Sequence, residues 1–209
     1  MDITRNTFAT ALICILISGL VSGCFGQSAE TRYYALDSAP AEPNDKDISL
    51  GVGPFELPDY LNRSQIVVRD ENNQLILHEF DRWAENLEVG MSRRIAAEVS
   101  RLNKDVLVYE FIRTSSFPGD YRVFGQVIKF EADQNNTVIL EVVWGLAKLE
   151  QNRINPQNKG ERSRYSRQIK SSTDLNEVTQ AMAELLDDFS ADIATRMQQS
   201  LDAEQADSA

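Results

Sequence analysis

The chain has little of what a catalytic or metal-binding site usually requires. Its 209 residues include one histidine, His78, and two cysteines, Cys14 and Cys24. A Ser-His-acid site would need His78 and a serine from elsewhere, and the sequence has no Gly-x-Ser-x-Gly segment. A metal site would need His78 with several carboxylates, and no ligand spacing is recognisable. We therefore expect no catalytic residue and no metal, and interpret His78 as a solvated residue at a strand end.

Charge and glycine pattern argue against two further classes of ligand. With 32 acidic and 21 basic residues, the chain has a net charge of −11 at pH 7. Phosphate backbones repel such a chain, so no nucleic-acid partner is expected. The segment Gly51-Val52-Gly53-Pro54 lacks the third glycine of a dinucleotide-binding turn, and Pro54 removes a backbone donor. We predict no bound cofactor and interpret this segment as a strand edge or a bulge.

The N-terminal segment has the pattern of a bacterial lipoprotein signal. An apolar stretch at 8–20, too short for a comfortable transmembrane helix, precedes Val21-Ser22-Gly23-Cys24, which is typical of a lipobox. We predict a signal peptide at 1–23, cleavage between Gly23 and Cys24, and a lipidated tether at 24–30. Cys24 would carry a diacylglycerol and an N-acyl chain such as palmitate; an uncleaved anchor is the alternative. Cys14 leaves with the signal, so the mature chain could form no disulfide.

The residue after Cys24 indicates in which membrane the lipoprotein is anchored. Two or three acyl chains form an effectively permanent membrane anchor. Phe25 stands where, in enterobacterial-type sorting, an aspartate would favour retention in the inner membrane. We therefore predict an outer-membrane lipoprotein on the periplasmic face of a Gram-negative envelope.

Hydrophobic periodicity predicts one α/β domain at 31–201 and an acidic disordered tail at 202–209. Apolar residues three or four apart predict a helix from Ala84 to Leu102 and a second helix that begins after Asp174. Asp187, Asp188 and Asp192 lie off the apolar stripe and are interpreted as its solvated face. Strands are predicted at 32–36, 48–55, 65–69, 75–77, 106–111, 121–131, 137–149 and 161–169. The expected fold is a mixed, largely antiparallel sheet of about six to eight strands with two long helices packed on it.

Two segments are candidates for an interface with another protein. In the proline-containing segment 57–63, Tyr60 and Leu61 could anchor a partner and Arg63 could bind a carboxylate in a bidentate manner. Alternatively, Tyr60 and Leu61 fill the core at a proline-stiffened corner, and Arg63 pairs with an acidic neighbour. Trp83, which follows Arg82, is either a core residue or an interface anchor.

A third candidate is a group of basic side chains in this otherwise acidic chain. It could face phosphate headgroups or an acidic surface on a neighbouring subunit, or it could be an ordinary charged hairpin. Its members are Arg153, Lys159, Arg162, Arg164, Arg167 and Lys170.

Four segments occur along the chain in the following order: Arg32-Tyr33-Tyr34-Ala35-Leu36, Val52-Gly53-Pro54, Leu57-Pro58-Asp59-Tyr60-Leu61-Asn62-Arg63-Ser64-Gln65-Ile66-Val67 and Arg82-Trp83-Ala84-Glu85. Together they resemble the ABC-type transport auxiliary lipoproteins, the family of paraquat-inducible protein C. After the tryptophan segment, that family usually has proline-leucine, whereas this chain has Asn86-Leu87.

The resemblance implies a role in lipid traffic between the membranes of the envelope. A protein of this family would be no enzyme. It would receive the far end of a hydrophobic tunnel formed by a hexameric MCE-domain protein, and it would self-associate into a ring. Two alternatives stay open: a periplasmic lipid-binding carrier with a pocket between sheet and helices, and a hydrolase that uses His78.

Overall fold

The computed structural model describes residues 29–37, 46–111, 119–150, 153–154 and 160–207. From Thr31 onward the chain forms one compact unit. The signal peptide, Cys24 and most of the tether lie outside the described residues, as do Lys159 and the side chain of Arg153.

Along the described residues the chain forms four strands, a helix, five strands and a second helix. The helices are α1, Leu87–Leu102, and α2, Leu175–Asp207. The strands are β1 Arg32–Tyr34, β2 Ser49–Glu56, β3 Gln65–Arg69, β4 Leu75–Trp83, β5 Leu107–Glu110, β6 Tyr121–Ala132, β7 Thr137–Glu150, β8 Arg153–Ile154 and β9 Glu161–Gln168.

Strand β6 lies at the centre of the sheet. Along one edge it pairs antiparallel with β7, whose other edge pairs antiparallel with β9. Two strands pair with the second edge of β6. Strand β2 pairs parallel with the first half of β6, and β3 pairs parallel with it at Ala132. Strand β5 extends the sheet beyond β2, while β4 and then β1 extend it beyond β3. Within the described residues these eight strands form one mixed sheet, and two-residue β8 pairs with the end of β7. The predicted fold class is confirmed.

Both helices contribute their apolar stripes to one core against the sheet. Met91 and Ile95 of α1 and Phe189 of α2 are fully buried. The Phe189 ring meets the rings of Phe55 and Trp144 edge to face, with centroids 5.5 and 5.3 Å apart. Such edge-to-face pairs add to the hydrophobic stabilisation of the core. The space between sheet and helices, where a lipid carrier would hold its cargo, is therefore packed with aromatic side chains at this point.

Helix α1 begins later than predicted. The Asn86 side chain accepts a hydrogen bond from the Glu88 backbone N–H at 2.9 Å and so caps the helix. Ala84 consequently lies before the helix, and its N–H donates to the Tyr34 carbonyl. The substitution of asparagine for the usual proline supplies this cap.

Helix α2 begins as predicted but ends later. Asp174 accepts from the Asn176 N–H at 3.0 Å, as expected of a cap. The helix then continues through Asp207, so residues 202–207 are helical and the prediction of a disordered tail from 202 is wrong for them. The reason is that Glu204 accepts hydrogen bonds from Lys148, at 2.7 Å, and from the Tyr121 hydroxyl.

Two strands also extend beyond their predicted ends. Strand β2 continues through Pro54, with a cis Gly53–Pro54 peptide bond and a register shift between Val52 and Phe55. The predicted bulge is present, and the strand ends at Glu56, one residue beyond its predicted end at Phe55. Strand β4 reaches Trp83 instead of ending at Leu77, because β1 pairs with its last three residues.

Candidate interaction surface

The corner that contains Tyr60 and Leu61 belongs to the core. Its turn is closed by the Leu61 N–H, which donates to the Pro58 carbonyl at 2.9 Å. Leu61 is 3% exposed, and Tyr60 packs half-buried against the same core. Burial raises the pKa of the Tyr60 hydroxyl, and the nearby Glu131 carboxylate raises it further. The structure thus favours the core alternative for these two residues over a role as anchors.

Arg63 differs from its neighbours. Its side chain is exposed and makes no ion pair with the described residues. The carboxylate partner that the core alternative gave it is therefore not found among them. Arg63 stays a candidate contact for a partner.

Trp83 is a core residue and Arg82 is a surface residue. Trp83 is 6% exposed and belongs to the main hydrophobic cluster. Arg82 donates to the Glu79 carbonyl at 2.9 Å and lies 3.9 Å from the Glu79 carboxylate. Of this pair, only Arg82 is available to a partner.

The basic group does not form one patch, because side chains alternate along strand β9. Arg162 and Arg164 project to one face and hold the buried Glu141 carboxylate, with Arg162 Nε at 2.7 Å and Arg164 Nη1 at 3.2 Å. Arg167 projects to the other face and binds Glu184 and Asp188 of α2 at 2.9 and 2.8 Å. The alternation was visible in the sequence and could have separated them.

The carboxylates of α2 lie on a largely solvated face of the helix and also connect it to its neighbours. Asp187 binds Arg94 of α1 through two hydrogen bonds of 2.9 and 2.8 Å. Asp192 accepts from the Tyr165 hydroxyl of β9 at 2.5 Å. The predicted solvated face is thus present, since Asp188 and Asp192 are exposed and Asp187 is partly exposed. In addition, arginines bind two of these carboxylates and a tyrosine hydroxyl binds the third.

The surface that the sequence reasoning missed is strand β4. Four large apolar side chains of this strand are exposed: Leu75 (36%), Ile76 (45%), Leu77 (36%) and Phe80 (47%). Strand β3 pairs with one edge of this segment, while β1 pairs only with Asp81–Trp83. Among the described strands, none pairs with the other edge of residues 75–80. Three consecutive apolar residues without alternation were the signal, because a half-buried edge strand normally alternates.

An open edge strand with exposed apolar side chains is a binding surface of a recognised kind. Unpaired backbone groups accept a strand from a partner, and apolar side chains on both faces bury area in the contact. We call residues 75–80 the β4 edge.

His78 lies in the middle of β4, half-buried, and not at a strand end. Burial lowers the pKa of its imidazole and so favours the neutral form. The part of the chain that the structure describes contains no group of three or more His, Cys, Asp or Glu side chains arranged to hold a metal ion. No helix among the described elements is both long enough and apolar enough to span a membrane.

The described residues thus form an α/β domain with an exposed apolar strand edge. The chain belongs to the ABC-type transport auxiliary lipoprotein component family, whose model matches residues 34–194. Membership agrees with the resemblance in the sequence and with the expectation that the chain is no enzyme. It makes the chain a lipoprotein component of a transport system.

Two solved structures show the same fold at low sequence identity. An uncharacterised protein has a TM-score of 0.63 and 18% identity, covering 81% of this chain and 99% of its own. Protein XCC0632 from Xanthomonas campestris has a TM-score of 0.62 and 16% identity, covering 82% of this chain and 99% of its own. A comparison with curated protein sequences found no significant match.

Proposed function

We propose that this chain is an outer-membrane lipoprotein, anchored through Cys24 on the periplasmic side, that docks the distal end of an MCE-domain tunnel protein in lipid transport. It would also self-associate into a ring. Membership in a family of transport auxiliary lipoproteins supports the transport role. The MCE partner, the ring and the outer membrane are the finer parts of this proposal.

The β4 edge is the observation that carries the docking role. A contiguous apolar strand exposed to water is unfavourable unless another protein covers it, since each buried Å² of apolar surface is worth about 25 cal/mol. Arg63 and Arg82 offer polar contacts of the kind found at the rims of interfaces. A hydrolase receives no such support, because His78 has no serine or carboxylate hydrogen-bond partner among the described residues.

The test is an affinity pull-down of full-length protein from detergent-solubilised envelopes, with mass spectrometry of the retained proteins. We expect an MCE-domain protein in near-stoichiometric amount. Ile76→Asp should lower its recovery at least about tenfold, which corresponds to about 1.4 kcal/mol. Val89→Asp is the matched control, because Val89 is exposed to a similar degree, 38%, but lies on α1.

Both variants should keep the melting temperature of the unmodified protein, since both side chains are exposed. Equal recovery of the MCE-domain protein with Ile76→Asp and with the unmodified chain would exclude the β4 edge as the docking surface. Recovery of no MCE-domain protein at all would contradict the docking function itself. Light scattering on the same samples tests the ring, which Ile76→Asp should also weaken if copies meet at this edge.

A further inference from the structure

A groove of about 520 Å³ lies on the face of the sheet opposite the helices. Arg122 and Phe124 of β6 line it and alternate with Tyr121 and Val123, which belong to the helix-side core. Its volume falls in the range of about 300–1,000 Å³ that is typical of small-molecule sites. The other lining residues include Pro54, Phe111, Val143 and Gly145.

The Arg122 guanidinium is the cation of this groove. It stacks on the Phe111 ring with 3.7 Å between its central carbon and the ring centroid, which fixes its position. Its Nε atom is buried and has no hydrogen-bond acceptor among the described residues. No described carboxylate forms an ion pair with it, unlike Arg69, Arg94 or Arg162.

An unpartnered, partly buried cation favours an anionic ligand. Burial lowers the pKa of Arg122, which shows that its surroundings disfavour the charge. Leaving a buried charged donor without an acceptor is costly, and an anion that accepts from Nε would remove that cost. The Arg122 charge therefore favours a ligand with an anionic group at one end.

The walls of the groove are mainly apolar and therefore favour an apolar remainder of the ligand. Pro54, Phe111, Phe124 and Val143 present mainly apolar surface, and a Cβ atom on Gly145 would meet only the Gly160 Cα, at 3.9 Å. The floor at Gly145 therefore accepts a carbon atom in ordinary van der Waals contact, as a methylene group crossing this point would be.

We propose that this groove binds a single-chain anionic lipid, with its carboxylate or phosphate on Arg122 and its acyl chain along the apolar walls. A fatty acid and a lysophospholipid share this chemistry. The proposal goes beyond the docking function and does not depend on it, because it requires only residues of the groove. It also places the lipid on the opposite face of the sheet from the pocket that a carrier would need between sheet and helices.

The experiment measures lipid binding by calorimetry on the soluble chain that begins at Thr31, which contains the whole compact unit. The probes are palmitate, palmitoyl-lysophosphatidate, neutral monopalmitin and inorganic phosphate, each below its micellar concentration. We expect the two anionic lipids to bind at least about tenfold more tightly than monopalmitin and phosphate. Binding of palmitate alone would identify a carboxylate site, and binding of the lysophosphatidate alone a phosphate site.

Two variants and a control locate the site. Arg122→Gln should weaken binding of the anionic lipids at least about tenfold. Gly145→Leu should do the same by filling the groove. Arg196→Gln removes an exposed arginine of α2, away from the groove, and should change nothing. If Gly145→Leu lowers the melting temperature, Arg122→Lys replaces it and should keep part of the affinity.

Unchanged lipid binding in Arg122→Gln would overturn the proposal, as would equal affinity for monopalmitin and palmitate. Binding of phosphate as tight as that of the lipids would show a plain anion site and would also overturn it. None of these results bears on the pull-down of the MCE-domain protein, so the two proposals fail separately.

Discussion

At the scale of single residues, the Asp81 carboxylate of β4 binds two side chains of the segment Arg32-Tyr33-Tyr34. Arg32 Nε lies 2.6 Å from the Asp81 carboxylate, and the Tyr34 hydroxyl donates to it at 3.1 Å. Tyr33 points away and is 67% exposed. The first and third residues of the segment thus attach β1 to β4 through one carboxylate.

This attachment predicts a dependence of stability on pH. Burial alone would raise the pKa of Asp81, but the hydrogen bonds from Arg32 and Tyr34 outweigh it and lower that pKa below its usual value. The contribution of the carboxylate is therefore complete above about pH 4 and is lost as the pH falls through the lower pKa of the folded state. Asp81→Asn should lower the melting temperature by about 2–4 °C at pH 7, for about 1 kcal/mol.

Thermal unfolding at pH 7 and at pH 2.5 tests this. The difference between Asp81→Asn and the unmodified chain should shrink at the lower pH, where the carboxylate of the unmodified chain becomes protonated. A difference that is the same at both pH values would show that the effect of the substitution is not ionic.

At the scale of elements, local composition predicted the wrong end for α2. Residues 202–209 are small and acidic, which is typical of a frayed tail. The helix nevertheless continues because Glu204 binds Lys148 and Tyr121 of the sheet. These partners are more than 50 residues away in sequence, so no local pattern announces the contact.

Glu204→Ala should therefore lower the melting temperature by about 2–4 °C, for a loss of about 1 kcal/mol in a partly exposed network. Gln205→Ala changes the neighbouring, exposed residue and should have no effect. Truncation after Leu201 should reproduce the effect of Glu204→Ala. A truncated chain as stable as the full-length chain would restore the interpretation of this segment as a dispensable tail.

At the scale of the whole molecule, the predicted lipid anchor and the acidic domain have opposite effects on membrane affinity. A net charge of −11 repels anionic lipid surfaces, so the domain gains little membrane affinity from its own charge. Acyl chains contribute about 0.8 kcal/mol for each buried methylene group, and this would dominate. Membrane attachment should thus depend on a single residue, Cys24.

Cys24→Ser should move the protein from the membrane fraction to the soluble fraction, with loss of the mass of the acyl chains. Cys14→Ser is the matched control and should leave both fraction and mass unchanged, because Cys14 lies within the predicted signal peptide. Immunoblots of fractionated cells and intact-mass spectrometry measure the two properties. An unmodified chain whose intact mass includes no acyl groups would contradict acylation at Cys24, whichever fraction holds the Cys24→Ser protein.

The sequence by itself determined the fold class, the family and most of the elements. Strand and helix periodicities are local, and the motif from Leu57 to Val67 is contiguous, so both can be read along the chain. Strand β3 has the bounds that its pattern predicts. The packing of Trp83 was left open because one tryptophan suits a core and an interface equally well.

Only the tertiary structure decided which groups find a partner among the described residues. Strand β3 joins β6 at Ala132, a residue more than 60 positions away, and no described strand then pairs with the other side of the β4 edge. Arg122 stacks on Phe111 and forms no ion pair with a described carboxylate, whereas Arg94, equally basic in sequence, binds Asp187 of α2. Pairing across such distances depends on the packing of the whole chain, because local sequence sets the type of each element but not its neighbours.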